Sequence, residues 1–284
     1  MVFRQAVPSV LRFDSAGRLL DCWGDYRGAH GMTLVEEDGV EMLWLTDEFS
    51  GRVEQVSLTG ELLRSVNCPR HPAYEAHLFI PTWVAVDERR NGGKGGIWVA
   101  DGYGAKLVHQ FEESGEYLRT LDGTDGAGRF SCPHGLGFDT RPGRERALYV
   151  ADRGNARFQV FSPEGRYLRS TGAGSLTSPD TFLCASEVAV IPELFGRVTV
   201  MDSDDKVVAC LGRNDDLRHD VAGWANRAPV VAGRFNSPHA CAVDLDNNLY
   251  VVEWRIGGRV VKLERQSATA RSQASARWLQ TRAA

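Results

Sequence analysis

One pattern recurs five times along the 284-residue chain and limits what it can fold into. A polar residue stands at the head of a short apolar run: His30 in "AHGMTLVEE", Thr82 in "PTWVAVDE", His134 in "PHGLGFD", Ser186 in "ASEVAVIP" and His239 in "PHACAVDL". Successive anchors stand 52, 52, 52 and 53 residues apart. A second run follows each anchor and ends in an acid: Asp47, Asp101, Asp152, Asp202 and Glu253. A third and often a fourth run come next, as in "RFQVFSPEG" and "RYLRST". Alternating polarity, β-branched and aromatic residues, and Gly or Asn turns make these runs strands, and no long helical period competes with them. Four short antiparallel strands per repeat predict the blade of a β-propeller.

The segment "VLRFDSAGRLLDCWG", Val10 to Gly24, aligns with the outer part of a unit further on, "VFSPEGRYLRSTG". Five units are therefore preceded by part of a sixth. The expected fold is all-β, a six-bladed propeller over residues 1–264, with a first blade incomplete at the N-terminus. Its innermost strand would lie before Met1, and the C-terminus is one candidate to fill the place. Residues 265–284 carry Arg265, Arg271, Arg277 and Arg282 without an acid, and read as a basic tail, solvated or partly helical.

Composition narrows the partners. The chain is 43% hydrophobic and 25% charged, with a formal net charge of -4. That is a globular balance without a broad basic field, which argues against nucleic acid. No apolar run approaches the roughly 18 residues of a membrane span. The opening "MVFRQAVPSVLRFD" is broken by Arg4, Gln5 and Arg12 and has no signal-peptide core, so a cytoplasmic location is expected. The six cysteines form no C-x-x-C pair and are expected to be free, mostly buried thiols. A monomer taking a small molecule or peptide in its central channel is the expected form.

The anchors carry the chemistry. The head of each first strand faces the channel of a propeller, and His30, His134 and His239 occupy alternate blades. Alternate blades of six lie about 120° apart, so three imidazoles would converge on the axis. Three neutral histidines with an open fourth position describe a catalytic zinc site, and imidazole also suits other divalent transition metals. His71, His77, His109 and His219 fall outside this register and read as surface or packing residues; a further metal site at Cys68, His71 and His77 has little behind it. The acids closing the second strands read as scaffold, since a carboxylate there binds turn N–H groups. The residues after them differ. Tyr103 and Arg153 flank the His134 blade and suit a base and an anion clamp. A Tyr packed at the channel edge and an Arg paired to Asp152 or a neighbouring blade fit the same pattern.

The motifs "PHGLGFD", "VADGYGAKLVHQF" and "YVADRGNARFQVF" resemble NHL-repeat propellers, and more narrowly the peptidyl-α-hydroxyglycine α-amidating lyases, over most of residues 10–263. The resemblance implies zinc on His30, His134 and His239, a catalytic Tyr at Tyr103 and a substrate-contacting Arg at Arg153. It implies cleavage of a peptidyl carbinolamide into a peptide amide and glyoxylate. Zinc would act as a Lewis acid, and Tyr103, its pKa lowered by the metal and Arg153, would take the hydroxyl proton. The chain departs from that family in three ways. The family's other arginine belongs to the incomplete first blade, where Arg4 stands one position early; Arg255, in the Tyr103 register of the last blade, is the substitute substrate-binding candidate. Ala240 replaces an Asp that helps the family to hold calcium, which argues against calcium. The family's disulfide cysteines are missing.

Two other readings stand beside the lyase. A non-catalytic NHL propeller would serve as a protein- or RNA-binding scaffold. A gluconolactonase-like calcium hydrolase would need oxygen ligands in the channel, against the His, Thr and Ser of the register.

Overall fold

The computed structural model describes residues 1–217 and 230–266. His219 and the tail from residue 267 onward lie outside the described residues.

Six antiparallel sheets form the ring. Blade one holds β1 (Val2–Phe3), β2 (Val10–Phe13) and β3 (Leu19–Trp23). Blade two holds β4 (Ala29–Glu37), β5 (Val40–Asp47), β6 (Arg52–Ser57) and β7 (Leu62–Val66). Blade three holds β8 (Trp83–Val86), β9 (Ile97–Asp101), β10 (Leu107–Phe111) and β11 (Tyr117–Leu121). Blade four holds β12 (Pro133–Phe138), β13 (Leu148–Asp152), β14 (Arg157–Phe161) and β15 (Tyr167–Thr171). Blade five holds β16 (Leu183–Ala185), β17 (Val188–Glu193), β18 (Arg197–Met201) and β19 (Val207–Leu211). Blade six holds β20 (Pro238–Val243), β21 (Leu249–Glu253) and β22 (Val260–Leu263).

The chain is a six-bladed propeller, as its repeat predicts. Blade one lacks the innermost strand among the described residues: β1 pairs with β2 as a second strand pairs with a third elsewhere.

Middle strands are apolar on both faces because each blade is covered by its neighbours. Every residue of β9, β10 and β13 is buried, whereas the outer strand β11 is partly or fully exposed. Apolar clusters fill the gaps between successive blades. Trp44 and Val84 join blades two and three, Trp98 and Leu148 join three and four, and Tyr149 and Ile191 join four and five. Fully burying such a side chain stabilises by about 1.5–3 kcal/mol, and these interfaces hold the inner strands in register around the axis.

Blade five corrects the sequence register. Ser186 is not an anchor. It lies in the two-residue turn between β16 and β17, with φ 55° and its hydroxyl on Asn247 Oδ1 at 2.5 Å. The run "VAVIPE" is the second strand, so the closing acid is Glu193. Asp202 instead caps the turn between the third and fourth strands, accepting from the N–H groups of Asp204 and Lys206 at 2.9 Å each. The true anchor is Asp180. Pro179 bridges Glu193 as Pro133 bridges Asp152 and Pro238 bridges Glu253. The cause is a short turn: only Ser186 and Glu187 separate β16 from β17, against Asp139 to Ala147 between β12 and β13.

The six thiols are free, but the expectation of burial is also corrected. Cys22 and Cys68 are exposed and the other four partly buried, because Cys22 lies on an outer strand and Cys68 on a connecting loop.

Candidate active site

The acids that close the second strands prepare the site. Each carboxylate reaches back to a backbone N–H just before the inner strand or anchor of its own blade. Asp47 accepts from Gly28 at 3.1 Å, Asp101 from Ile80 at 2.7 Å and Asp152 from Ser131 at 2.7 Å. Glu193 accepts from Thr177 and Glu253 from Asn236, both at 2.5 Å. Five anchors are thereby delivered to the channel with the same entry geometry.

Three of them are His30, His134 and His239. Their ring centroids lie 4.8, 5.0 and 4.7 Å apart, at interplanar angles of 67°, 74° and 88°. Their ligand atoms all lie within 4.8 Å of one another, and no other such group of His, Cys, Asp or Glu forms among the described residues. His134 and His239 are buried and His30 is partly exposed.

The tautomers are fixed from the next blade along. His30 Nδ1 meets the Thr82 carbonyl at 2.8 Å, and His134 Nδ1 meets the Asp180 carbonyl at 3.0 Å. A carbonyl accepts only, so each Nδ1 carries the proton and each Nε2 keeps a free lone pair. His239 Nε2 is buried and has no hydrogen-bond partner among the described residues. Neutral imidazoles with inward lone pairs, one of them orphaned, fit a transition-metal ion. Burial is the main force keeping them neutral. It pulls His30 down to about 4, with the Arg153 charge adding to the fall, and holds His134 and His239 well below the usual histidine range.

Two glycines make this arrangement sterically open. A Cβ on Gly31 would lie 2.5 Å from the Thr82 carbonyl oxygen, and one on Gly135 2.1 Å from that of Asp180. The residue after each of these histidines must be glycine for the next blade to approach and bind the imidazole. In blade six the same place is Ala240, and blade one brings no inner strand against it among the described residues.

Tyr103 and Arg153 lie at this cluster. The Tyr103 hydroxyl is 3.1 Å from His30 Nε2 and 3.0 Å from His134 Nε2. Arg153 Nη2 donates to that hydroxyl at 3.2 Å and to Cys132 Sγ at 3.4 Å, while Nη1 donates to Asp180 Oδ1 at 2.8 Å. Burial raises the Tyr103 pKa and Arg153 opposes the rise without reversing it. The expected lowering is therefore not supplied by the protein alone. Burial also pushes the Asp180 carboxyl up to about 7 against the pull of Arg153.

Arg255 begins the turn after β21, one residue beyond Trp254, whose ring lies 5.7 Å from His239. The cation whose charge bears on all three histidines is Arg153. Arg4 does not reach inward: its Nε donates to the Pro8 carbonyl at 3.0 Å. Its N–H pairs with the Ser9 carbonyl, which puts Gln5 in the place that Arg153 holds in blade four. Gln5 Nε2 donates to Glu48 Oε1 at 2.7 Å. Away from the axis, His109 packs with Nε2 2.6 Å from the Tyr74 hydroxyl, and His71 caps the turn Pro72–Glu75.

The sequence register missed Asp180. A usable signal was present, since proline precedes the anchor in four blades: Pro81, Pro133, Pro179 and Pro238.

No family profile matches the chain. It is 27% identical over 169 residues to NHL repeat-containing protein 3 of Homo sapiens, covering 56% of this chain and 46% of that protein. It is 24% identical over 231 residues to the probable peptidyl-alpha-hydroxyglycine alpha-amidating lyase pgal-1 of Caenorhabditis elegans, covering 78% and 60%. It is 32% identical over 139 residues to peptidyl-glycine alpha-amidating monooxygenase B of Xenopus laevis, covering 46% and 15%. The chain spans about half the length of the first two curated relatives it matches, human and mouse. Among solved structures, a virginiamycin B lyase from Staphylococcus aureus superposes with a TM-score of 0.52 at 11% identity, covering 86% of this chain and 72% of that one. At that identity the likeness speaks for the fold. No helix among the described residues is long and apolar enough to cross a membrane. The chain is a six-bladed propeller that resembles NHL-repeat proteins and, more narrowly, the peptidyl-α-hydroxyglycine α-amidating lyases.

Proposed function

We propose that the protein is a metal-dependent carbon–nitrogen lyase that cleaves a peptidyl-α-hydroxyglycine-like carbinolamide to an amide and glyoxylate. The observation that carries this reading is the convergence of three imidazoles with one phenol hydroxyl, which meets the Nε2 atoms of His30 and His134 and is itself held by an arginine. His30, His134 and His239 would hold zinc or another divalent transition metal, and when bound that ion supplies Lewis-acid polarisation of a substrate oxygen. Tyr103 is placed to take the proton of the carbinol hydroxyl. The C–O bond then becomes a carbonyl as the C–N electron pair leaves to nitrogen, and the proton returns to that nitrogen. Atoms and charge balance without an oxidant or a second substrate. Arg153 binds the carboxylate of the substrate and favours the phenolate. Arg255 is a second substrate-binding candidate at the blade-six rim. Ala240, packed against apolar residues, offers no side-chain oxygen to calcium.

The test is turnover of a short peptidyl-α-hydroxyglycine by the zinc-loaded protein, read as glyoxylate release. Tyr103→Phe should lower release by about 10²–10⁴ and leave zinc content unchanged. A folded, zinc-loaded protein that releases no glyoxylate overturns the lyase reading and leaves a metal-holding scaffold.

A further inference from the structure

Resting on that reading, we infer that Asp180 is a positioning residue that sets Arg153 against the Tyr103 hydroxyl and prepares the site for a carboxylate-bearing substrate. Asp180 occupies in blade five the anchor place that His134 and His239 hold in blades four and six. It is fully buried and backbone-locked, its N–H on the Pro192 carbonyl at 2.9 Å. One residue thus acts in two directions. Its carbonyl orients His134, and its carboxylate holds Arg153 Nη1 at 2.8 Å.

The geometry assigns the side chain to Arg153 rather than to the fold. The acids with a scaffold role spend their oxygens on loop N–H groups, as Asp152 does on Ser131 and Glu193 on Thr177 and Ser178. Asp180 gives Oδ1 to the guanidinium at 2.8 Å, with His134 Nδ1 further off at 3.4 Å, and Oδ2 is buried with no hydrogen-bond partner among the described residues. With Nη1 fixed there, Nη2 faces Tyr103 and Cys132. A buried guanidinium left without its carboxylate is costly and moves to another anion. Glu48, bonded to Gln5, already feels the Arg153 charge. Asp180 therefore decides between an arginine aimed at the reacting hydroxyl and one drawn outward. A guanidinium held on one nitrogen can turn the donor that now faces Cys132 to an incoming carboxylate.

The test is a double-mutant cycle on acetate binding, measured by calorimetry on the folded full chain with and without cobalt(II). Asp180→Asn keeps size and backbone carbonyl, so cobalt stoichiometry and its visible spectrum should not change. Arg153→Met should weaken acetate binding about tenfold, and Asp180→Asn should change it by more than about threefold in the wild-type background but by less than about twofold in the Arg153→Met background, because Asp180 acts through Arg153. An equal effect of Asp180→Asn in both backgrounds, no effect of Asp180→Asn on the wild type, or a wild type that binds no acetate in either form would overturn the proposal. So would failure of both Asp180→Asn and Asp180→Ser to fold, which would make the residue structural. A wild type without glyoxylate release that retains the coupled cycle would sink the lyase reading and leave Asp180 in place.

Discussion

Blades two, four and six bring imidazoles to the axis, whereas blades three and five bring Thr82 and Asp180. The two sets are built alike: in each, an acid at the end of the second strand pins the loop that delivers the anchor. They differ in what the anchor offers. The first set presents side-chain nitrogen, and the second presents the backbone carbonyl that fixes the tautomer of the neighbouring histidine. Function therefore lies in the alternation, and changes in the two sets should fail in different ways.

The largest separation is expected at the histidines. His134→Ala should weaken zinc binding by more than about a hundredfold, since even outer partners of ligands cost 10–100-fold; competition with a chelating dye measures it. Next comes Tyr103→Phe, with turnover lower by about 10²–10⁴ and zinc affinity within twofold of wild type, read from kinetics and the same dye. Asp152→Asn strikes scaffold common to both sets. It loosens the pairing to Arg157 and the hold on Ser131, and should cost about 3 kcal/mol in chemical denaturation.

Acid should separate the sets more gently. The unfolded chain protonates His30 near 6.5, while the folded metal-free protein resists until about 4. The unfolded state therefore binds more protons in that window, and stability falls as pH drops through it. His30→Gln should give a shallower fall in melting temperature over the same range. The smallest effect is expected for Thr82→Ala. It removes the hydroxyl bond to the His134 carbonyl at 2.7 Å but keeps the carbonyl that holds His30. A loss of about 1 kcal/mol with unchanged zinc affinity is the expected outcome, by denaturation and dye competition.

The sequence is informative where spacing is regular and silent where it is not. Blades two to four share a near-constant repeat, so His30, Thr82 and His134 are legible from intervals alone. Blade five shortens its first turn, and an apolar second strand, "VAVIPE", imitates a first strand. Ser186 then falls by coincidence on the expected interval while Asp180 goes unseen. Residue interval points to Ser186, whereas the proline before the anchor points to Asp180. Contacts between blades are illegible for a different reason. The need for Gly31 and Gly135 arises from a carbonyl some fifty residues away in sequence, and no local pattern encodes that approach. The rise in the Tyr103 pKa has the same origin, since burial by other blades outweighs the Arg153 charge.

The central claim is that three anchors in alternate blades form one metal site. X-ray absorption at the zinc edge, on the folded chain after loading and dialysis, tests it most directly. The account predicts one zinc per chain with three imidazole nitrogens in its first coordination shell, falling to two in His239→Ala if any zinc remains. A folded chain that retains no zinc, or retains it with the same ligand set after His239→Ala, would contradict it.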